Sequence, residues 1–231
     1  NAIAICKDNS GSVWVSCWGD LIRLDRSTKR FLSPAYWLGK DDKTANQIIT
    51  SITEDSDNNL WIGTDDNGII YWDRAKNEMK QWKAGVKQNG LLNNNIMSLL
   101  CDNQGTLWIG TWTGINYLEK EKAKFEIIAN TLENQNILPD NITRYIFQDK
   151  NNQIWVGTNY GLAHIDPISK RTIKIYRAEP GHENALVNNK INHINQDENG
   201  NLWLATDGGI SCFNPTAEKW TNYFVHAKKK I

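Results

Sequence analysis

The residues of this chain best suited to chemistry follow a small-residue pair that recurs along it. They are Trp18, Asp65, Trp112, Asn159 and Asp207, and next to the last four lie Asp66, Thr113, Tyr160 and Gly208. Flat aromatic rings stack on sugar rings, and Asp and Asn side chains pair with hydroxyls, so this mixture suits a carbohydrate-like ligand. A second polar set, Arg144, Tyr145, Asn192 and His193, falls on segments that read as strands. It either lines a hydrated channel and contributes to a ligand site, or hydrogen-bonds internally and to trapped water. The competing reading of the first set is ordinary loop, because loops are polar and variable in any fold. The candidate ligand-binding residues are therefore Trp18, Asp65, Asp66, Trp112, Asn159, Tyr160, Asp207, Arg144 and His193.

Catalytic readings are weaker. Asp65 and Asp66 are neighbours in sequence, which does not by itself set two carboxyl groups across a glycosidic bond. The stretch Asp55-Ser56-Asp57-Asn58-Asn59 has part of a calcium-loop pattern. It lacks the sixth-position Gly and the twelfth-position Glu, and reads better as an Asx turn. HExxH, GxSxG and phosphate-cradling Gly-rich patterns do not occur. No catalytic residue, metal ligand or cofactor is assigned.

The elements that position these residues follow from a repeat. Trp14, Trp61, Trp108, Trp155 and Trp203 are spaced by 47, 47, 47 and 48 residues, and six before each stands Asp8, Asp55, Asp102, Asp149 or Asp197. A period of this size marks units that bury their apolar faces only against one another. Within a unit the period is two, which predicts strands. In the second repeat these run over 48–54, 60–64, 68–73 and 78–82. Turn formers separate the first two, where the Asp accepts backbone N–H bonds across its own turn. The Trp offers a broad apolar face to the next unit, and the pairs Gly63-Thr64, Gly110-Thr111 and Gly157-Thr158 leave room for close packing. The prediction is all-β: a β-propeller of five four-stranded blades, near residues 1–44, 45–92, 93–138, 139–187 and 188–231. A closed five-blade ring is slightly preferred to an arc of a larger propeller, and a parallel β-solenoid is the distant alternative. Hairpin loops between second and third strands would share one face with the linkers between blades. The long linkers 33–46, with Tyr36 and Trp37, and 177–190, with Glu179 and His182, exceed what a tight connection needs.

Composition excludes some partners. Among 231 residues, Lys plus Arg and Asp plus Glu both number 26, so net charge gives no reason to expect nucleic acid. No apolar run is long enough to span a bilayer, so direct membrane insertion by this chain is not expected. Cys6, Cys17, Cys101 and Cys212 occupy different positions in their repeats and read as free thiols acting as small hydrophobes. Lys228-Lys229-Lys230 reads as a solvated tail. The start at Asn1 without a signal peptide suggests a processed or excised piece.

At DxxGxLWIGTxxGI the sequence resembles the two-component regulator propeller repeat. The lead-in residues Ile5, Ile52, Leu99, Ile146 and Ile194 fit it, as do Leu24-Asp25, Trp72-Asp73 and Ile165-Asp166 at the third strand. The linkers 90–96 and 138–142 fit as well, whereas Ser16-Cys17 and Ala205-Thr206 depart from the Gly-Thr pair. The resemblance implies a non-catalytic sensor propeller on the periplasmic or extracellular face of the inner membrane. It would be part of a membrane-anchored signalling protein whose histidine kinase lies outside this chain. Its partner would be an oligosaccharide-like ligand or another domain of the parent, and a homodimer is compatible with the sequence. The Asp-turn-Trp unit also looks like the Asp-box of sialidase-type propellers, so a propeller glycosidase or lyase is one alternative. The arginines show no cluster converging on an axis, which such an enzyme needs. A protein-interaction scaffold is the other alternative.

Overall fold

The computed structural model describes residues 2–17, 20–33, 43–44, 46–85, 90–119, 122, 124–179 and 181–224. Among the described residues, twenty strands form five four-stranded antiparallel meanders. The first blade holds β1 (Ala2–Lys7), β2 (Val13–Cys17), β3 (Asp20–Asp25) and β4 (Arg30–Leu32). The second holds β5 (Ile49–Glu54), β6 (Leu60–Thr64), β7 (Ile69–Asp73) and β8 (Glu78–Trp82). The third holds β9 (Ile96–Cys101), β10 (Leu107–Thr111), β11 (Gly114–Leu118) and β12 (Glu126–Ile128). The fourth has β13 (Thr143–Gln148), β14 (Ile154–Thr158), β15 (Leu162–Ile165) and β16 (Thr172–Tyr176). The fifth has β17 (Ile191–Gln196), β18 (Leu202–Thr206), β19 (Gly209–Asn214) and β20 (Lys219–Tyr223). In the second repeat β6 and β8 coincide with the predicted strands, and β5 and β7 begin one residue later. Asn1–Ile128 forms one compact unit with three blades, and Ala129–Ile231 a second with two.

The recurring Asp of each repeat ties the first hairpin. Asp55 Oδ1 accepts the backbone N–H groups of Asp57 and Asn59, both at 2.9 Å. Asp102, Asp149 and Asp197 bind the residues two and four places on in the same way. The turn needs a left-handed residue at its fourth position, filled by Asn58 (φ 64) or Gly105 (φ 81). The six-residue spacing to Trp is itself a hydrogen bond, which the sequence does not announce. The indole Nε1 donates to the second carboxylate oxygen at 2.9 Å in the Asp8–Trp14 pair, 3.1 Å in Asp55–Trp61 and 2.8 Å in Asp102–Trp108. It does so at 2.8 Å in Asp149–Trp155 and 2.9 Å in Asp197–Trp203. A hydrogen bond to a charged acceptor contributes about 1.5–3 kcal/mol. These donors hold the Asp197 carboxyl down at about 2, Trp203 first and Asn201 second.

The opposite end of the second strand is closed by the Thr of the Gly-Thr pair. Thr64 Oγ1 donates to the Gly68 carbonyl, and Thr111, Thr158 and Thr206 close their hairpins likewise. The glycine before it lets the next blade approach. A Cβ on Gly157 would lie 2.6 Å from Ile191 Cγ2, and one on Gly63 2.6 Å from Ile96 Cγ2. Close packing at these glycines is thus realised within each unit.

Within each unit the blade-to-blade seams have their own cores. Trp14, Ile49, Leu60, Ile62 and Trp72 pack between the first and second blades. Trp61, Ile96, Leu107, Ile109 and Phe125 pack between the second and third. Trp155, Ile191, Leu204, Phe213 and Trp220 do so between the fourth and fifth. The first seam also carries an ionic clamp. Arg74 Nη1 lies 3.0 Å from Asp8 Oδ2 and 3.0 Å from Glu54 Oε1. Burial alone would raise the Asp8 carboxyl. Ser10, Trp14, the Ser12 N–H and Arg74 outweigh it and hold the group below its ordinary value.

Cys6, Cys17, Cys101 and Cys212 are half-buried free thiols. Burial, then Glu54 and Asp8, pushes the Cys6 thiol up to about 11, and burial raises Cys101 further. A thiol so shifted is a poor nucleophile.

Candidate functional site

The site is built by an irregularity that four described blades share. In the first strand one residue is skipped by the pairing: Thr50 between Ile49 and Ser51, Met97 between Ile96 and Ser98, Arg144 between Thr143 and Tyr145, and Asn192 between Ile191 and His193. A bulge re-aims the skipped side chain. Three of the four reach a residue fifteen places on, in the second-to-third-strand hairpin of their own blade. Trp112 Nε1 donates to Met97 Sδ at 2.9 Å, Arg144 Nη1 reaches Asn159 Oδ1 at 3.5 Å, and Asn192 Nδ2 donates to Asp207 Oδ1 at 2.7 Å.

In the second unit these pairs join into one network. Arg144 Nε donates to Asn192 Oδ1 at 3.1 Å, and Lys190 Nζ lies 2.8 Å from Asp207 Oδ2. Lys190 first, then Asn192, keeps the Asp207 carboxyl below its ordinary value. An anion so held accepts hydrogen bonds but is a poor general acid. Beside it the rings of Tyr145 and His193 sit 4.2 Å apart, tilted by 39°. Burial pushes the Tyr145 hydroxyl up and the His193 imidazole down, so His193 stays neutral further into acid. Tyr160 is 63% exposed, and its own N–H is tied to Thr158 Oγ1 at 3.1 Å. Arg144, Asn159 and Asp207 are thus linked through Asn192, with Tyr160 next to Asn159 in sequence, whereas His193 contacts the ring of Tyr145.

In the first unit the candidates are more dispersed. Asp65 donates its N–H to the Ile48 carbonyl, and its carboxylate accepts Asn95 Nδ2 at 3.3 Å. Asp66 is exposed in a left-handed turn (φ 69). Trp112 is 51% exposed over Met97. Trp18, Tyr36, Trp37 and the Lys228–Lys230 run lie outside the described residues. In the linker 177–190, His182 Nδ1 stands 3.8 Å from Glu179 Oε2, and both side chains are exposed.

Sequence reasoning left two participants, Asn192 and Lys190, out of its site. A constant fifteen-residue offset between variable polar positions was the signal that could have found Asn192. It also passed over the role of the linker asparagines. Asn94, Asn141 and Asn189 accept the N–H groups of Ala84, Asn130 and Ala178 and so pin the chain leaving the second, third and fourth blades.

Comparison with known proteins places this geometry. The chain aligns over 98% of its length with the extracellular domain of BT3049 from B. thetaiotaomicron, described as a hybrid two-component system. The TM-score is 0.74 at 21% identity, and the alignment covers 30% of that chain. PorZ of Porphyromonas gingivalis, a surface component of the type-IX secretion system, aligns over 92% with TM-score 0.69 and 18% identity, covering 32% of PorZ. Virginiamycin B lyase from Staphylococcus aureus aligns over 98% with TM-score 0.67 and 13% identity, covering 71% of the enzyme. The chain therefore spans about a third of the first two. No curated protein matches it. With its five meanders and turn-closing aspartates, the chain is a repeat protein of the β-propeller class. The family model described as the two-component regulator propeller matches residues 44–66, 90–113, 136–160 and 185–208.

Proposed function

We propose that this chain is the ligand-reading portion of an extracytoplasmic sensor, a non-catalytic propeller of a membrane-anchored two-component signalling protein that responds to a carbohydrate. The repeat family and the likeness to extracellular domains of hybrid two-component systems support the sensor reading. The observation that carries ligand recognition is the network of Arg144, Asn192, Asp207 and Lys190, held by bulges on rigid strands beside the exposed Tyr160 ring. Pre-positioned donors and acceptors beside a flat ring are what a sugar's hydroxyls and apolar face require. Signalling then follows from a difference in ligand affinity between two arrangements of the parent protein.

The test is calorimetry of the chain against a panel of neutral and acidic oligosaccharides, with product analysis of the same mixtures. A saturable ligand should lose about tenfold in affinity in Arg144→Ala, the cost of one charge-assisted contact. Silence from a folded chain across the panel would favour an interaction scaffold. Turnover of any sugar would favour the glycosidase or lyase alternative.

A further inference from the structure

A cavity of about 260 Å³ lies between the second and third blades, at the Asp-turn end of β6, away from the hairpin end where Asp65 sits. Its wall is aromatic. The ring of Trp61 is 4.6 Å from Tyr71 and stacks on Trp82 at 5.6 Å, tilted by 27°. Leu107 and Leu118 face it from the third blade, and Asp55, Ser56 and Asp57 line it at the turn.

The register explains why this space is open. Leu118 pairs with Leu107, Trp72 with Leu60, and Phe213 with Leu202, so the three residues occupy one position in their blades. At the first seam Trp72 meets Trp14 edge-on at 5.5 Å. At the fourth-to-fifth seam Phe213 is fully buried, 5.9 Å from Trp155 and 4.9 Å from Tyr176. Trp61 and Trp82 are the counterparts of Trp155 and Tyr176. The second-to-third seam thus keeps the aromatic walls and lacks the ring that fills them elsewhere.

A dry cavity of about 150 Å³ takes up benzene. The extra volume here leaves room for a short chain reaching the turn. Asp55 and Asp57 face a single cation in the lining, Lys80, so the mouth carries a net negative charge. Burial and then the Asp55 charge push the Tyr71 hydroxyl up, consistent with a proton held there as a donor. A cation beside Trp and Tyr faces gains further from their ring quadrupoles.

We propose that this slot is a second binding site, for a small arylalkylammonium: a phenyl-sized ring between Trp61, Trp82 and Leu118, with its amine at Asp55 and Asp57. The site is independent of the network around Arg144.

The probe is 2-phenylethylamine, compared with 2-phenylethanol and phenylacetate, by ligand-observed NMR and tryptophan fluorescence on the whole chain. The amine should bind about tenfold tighter than the alcohol, and the acid weakest. Leu118→Phe places the missing ring in the slot and should abolish binding while raising the unfolding midpoint. Should that variant not fold, Lys80→Ala serves instead and should tighten the amine severalfold while leaving the alcohol unchanged. Arg144→Ala should alter none of these. Equal binding of amine and alcohol, or unchanged amine binding in a folded Leu118→Phe, would overturn the assignment. So would failure of every probe to bind.

Discussion

The second-to-third and fourth-to-fifth seams are made from the same register positions and differ in what fills them. Where one has Trp61, Tyr71, Trp82, Leu118 and Phe125, the other has Trp155, His164, Tyr176, Phe213 and Trp220. The first leaves a cavity of about 260 Å³ and the second buries Phe213 completely. The difference teaches that the repeat fixes the backbone and the Asp–Trp bond, while seam packing is decided by single side chains. A propeller can therefore hold a tight seam and a loose one without changing its frame.

The largest test of that contrast is truncation of the motif tryptophan in each seam. Trp155→Ala should cost about 3–5 kcal/mol, since a buried ring is lost with its contacts to Phe213 and Tyr176. Trp61→Ala should cost less, because that ring already borders empty space. Urea midpoints of the two variants check this, and equal losses would mean that the cavity does not loosen the seam. A smaller effect comes from exchanging the filling residue. Phe213→Leu should lose about 1 kcal/mol, and Leu118→Phe should gain a similar amount. Thermal denaturation of the two variants should show shifts of opposite sign, and two shifts of the same sign would end the comparison.

The smallest expected effect is in pH. His164 stacks on Trp155 at 4.2 Å, and burial pushes its imidazole down despite the raising effect of Asp149 and Asp166. Burial also lowers His193. The second-to-third seam has Tyr71 and Ser98 at these positions. A folded value below the unfolded one means that the unfolded chain takes the proton first. This contribution is complete above about 6.5, the unfolded value, and is lost as pH falls through that region. The denaturation midpoint should therefore drop between pH 8 and pH 5.5 by less in a His164→Asn, His193→Asn double variant than in the parent chain.

Much of the frame was legible in the sequence. Alternating apolar residues placed β6 and β8 to the residue, and the Asp-turn-Trp spacing marked five blades. Several features escaped because they are properties of register rather than of residue type. The indole-to-carboxylate bond needs both ends of a closed hairpin. Arg144 and Asn192 stood out as polar residues on strands, but that they and Met97 are skipped by the pairing shows only in the register. The Asp8–Arg74–Glu54 clamp joins residues 66 and 20 apart in sequence from Arg74. The cavity is harder still, since Leu118 is an unremarkable strand residue and the space appears only against Trp72 and Phe213. Of the candidate site, Arg144, Asn159 and Asp207 are joined through Asn192, His193 contacts Tyr145 instead, and Asp65, Asp66 and Trp112 in the first unit lie apart from one another in their contacts.

The fifteen-residue coupling between a bulge and its own hairpin also bears on how such a protein can diverge. Both members of a pair are outside the seam core, so exchanging Arg144 with Asn159, or Asn192 with Asp207, for another compatible couple leaves the packing of Trp155, Phe213 and Trp220 untouched. The Met97–Trp112 couple of the third blade is a two-letter word by itself, whereas those of the fourth and fifth blades share the Arg144–Asn192 bond and are rewritten together. A change of chemical signal then alters side chains at the hairpin end of the blades and leaves the Asp–Trp bonds at the opposite end in place.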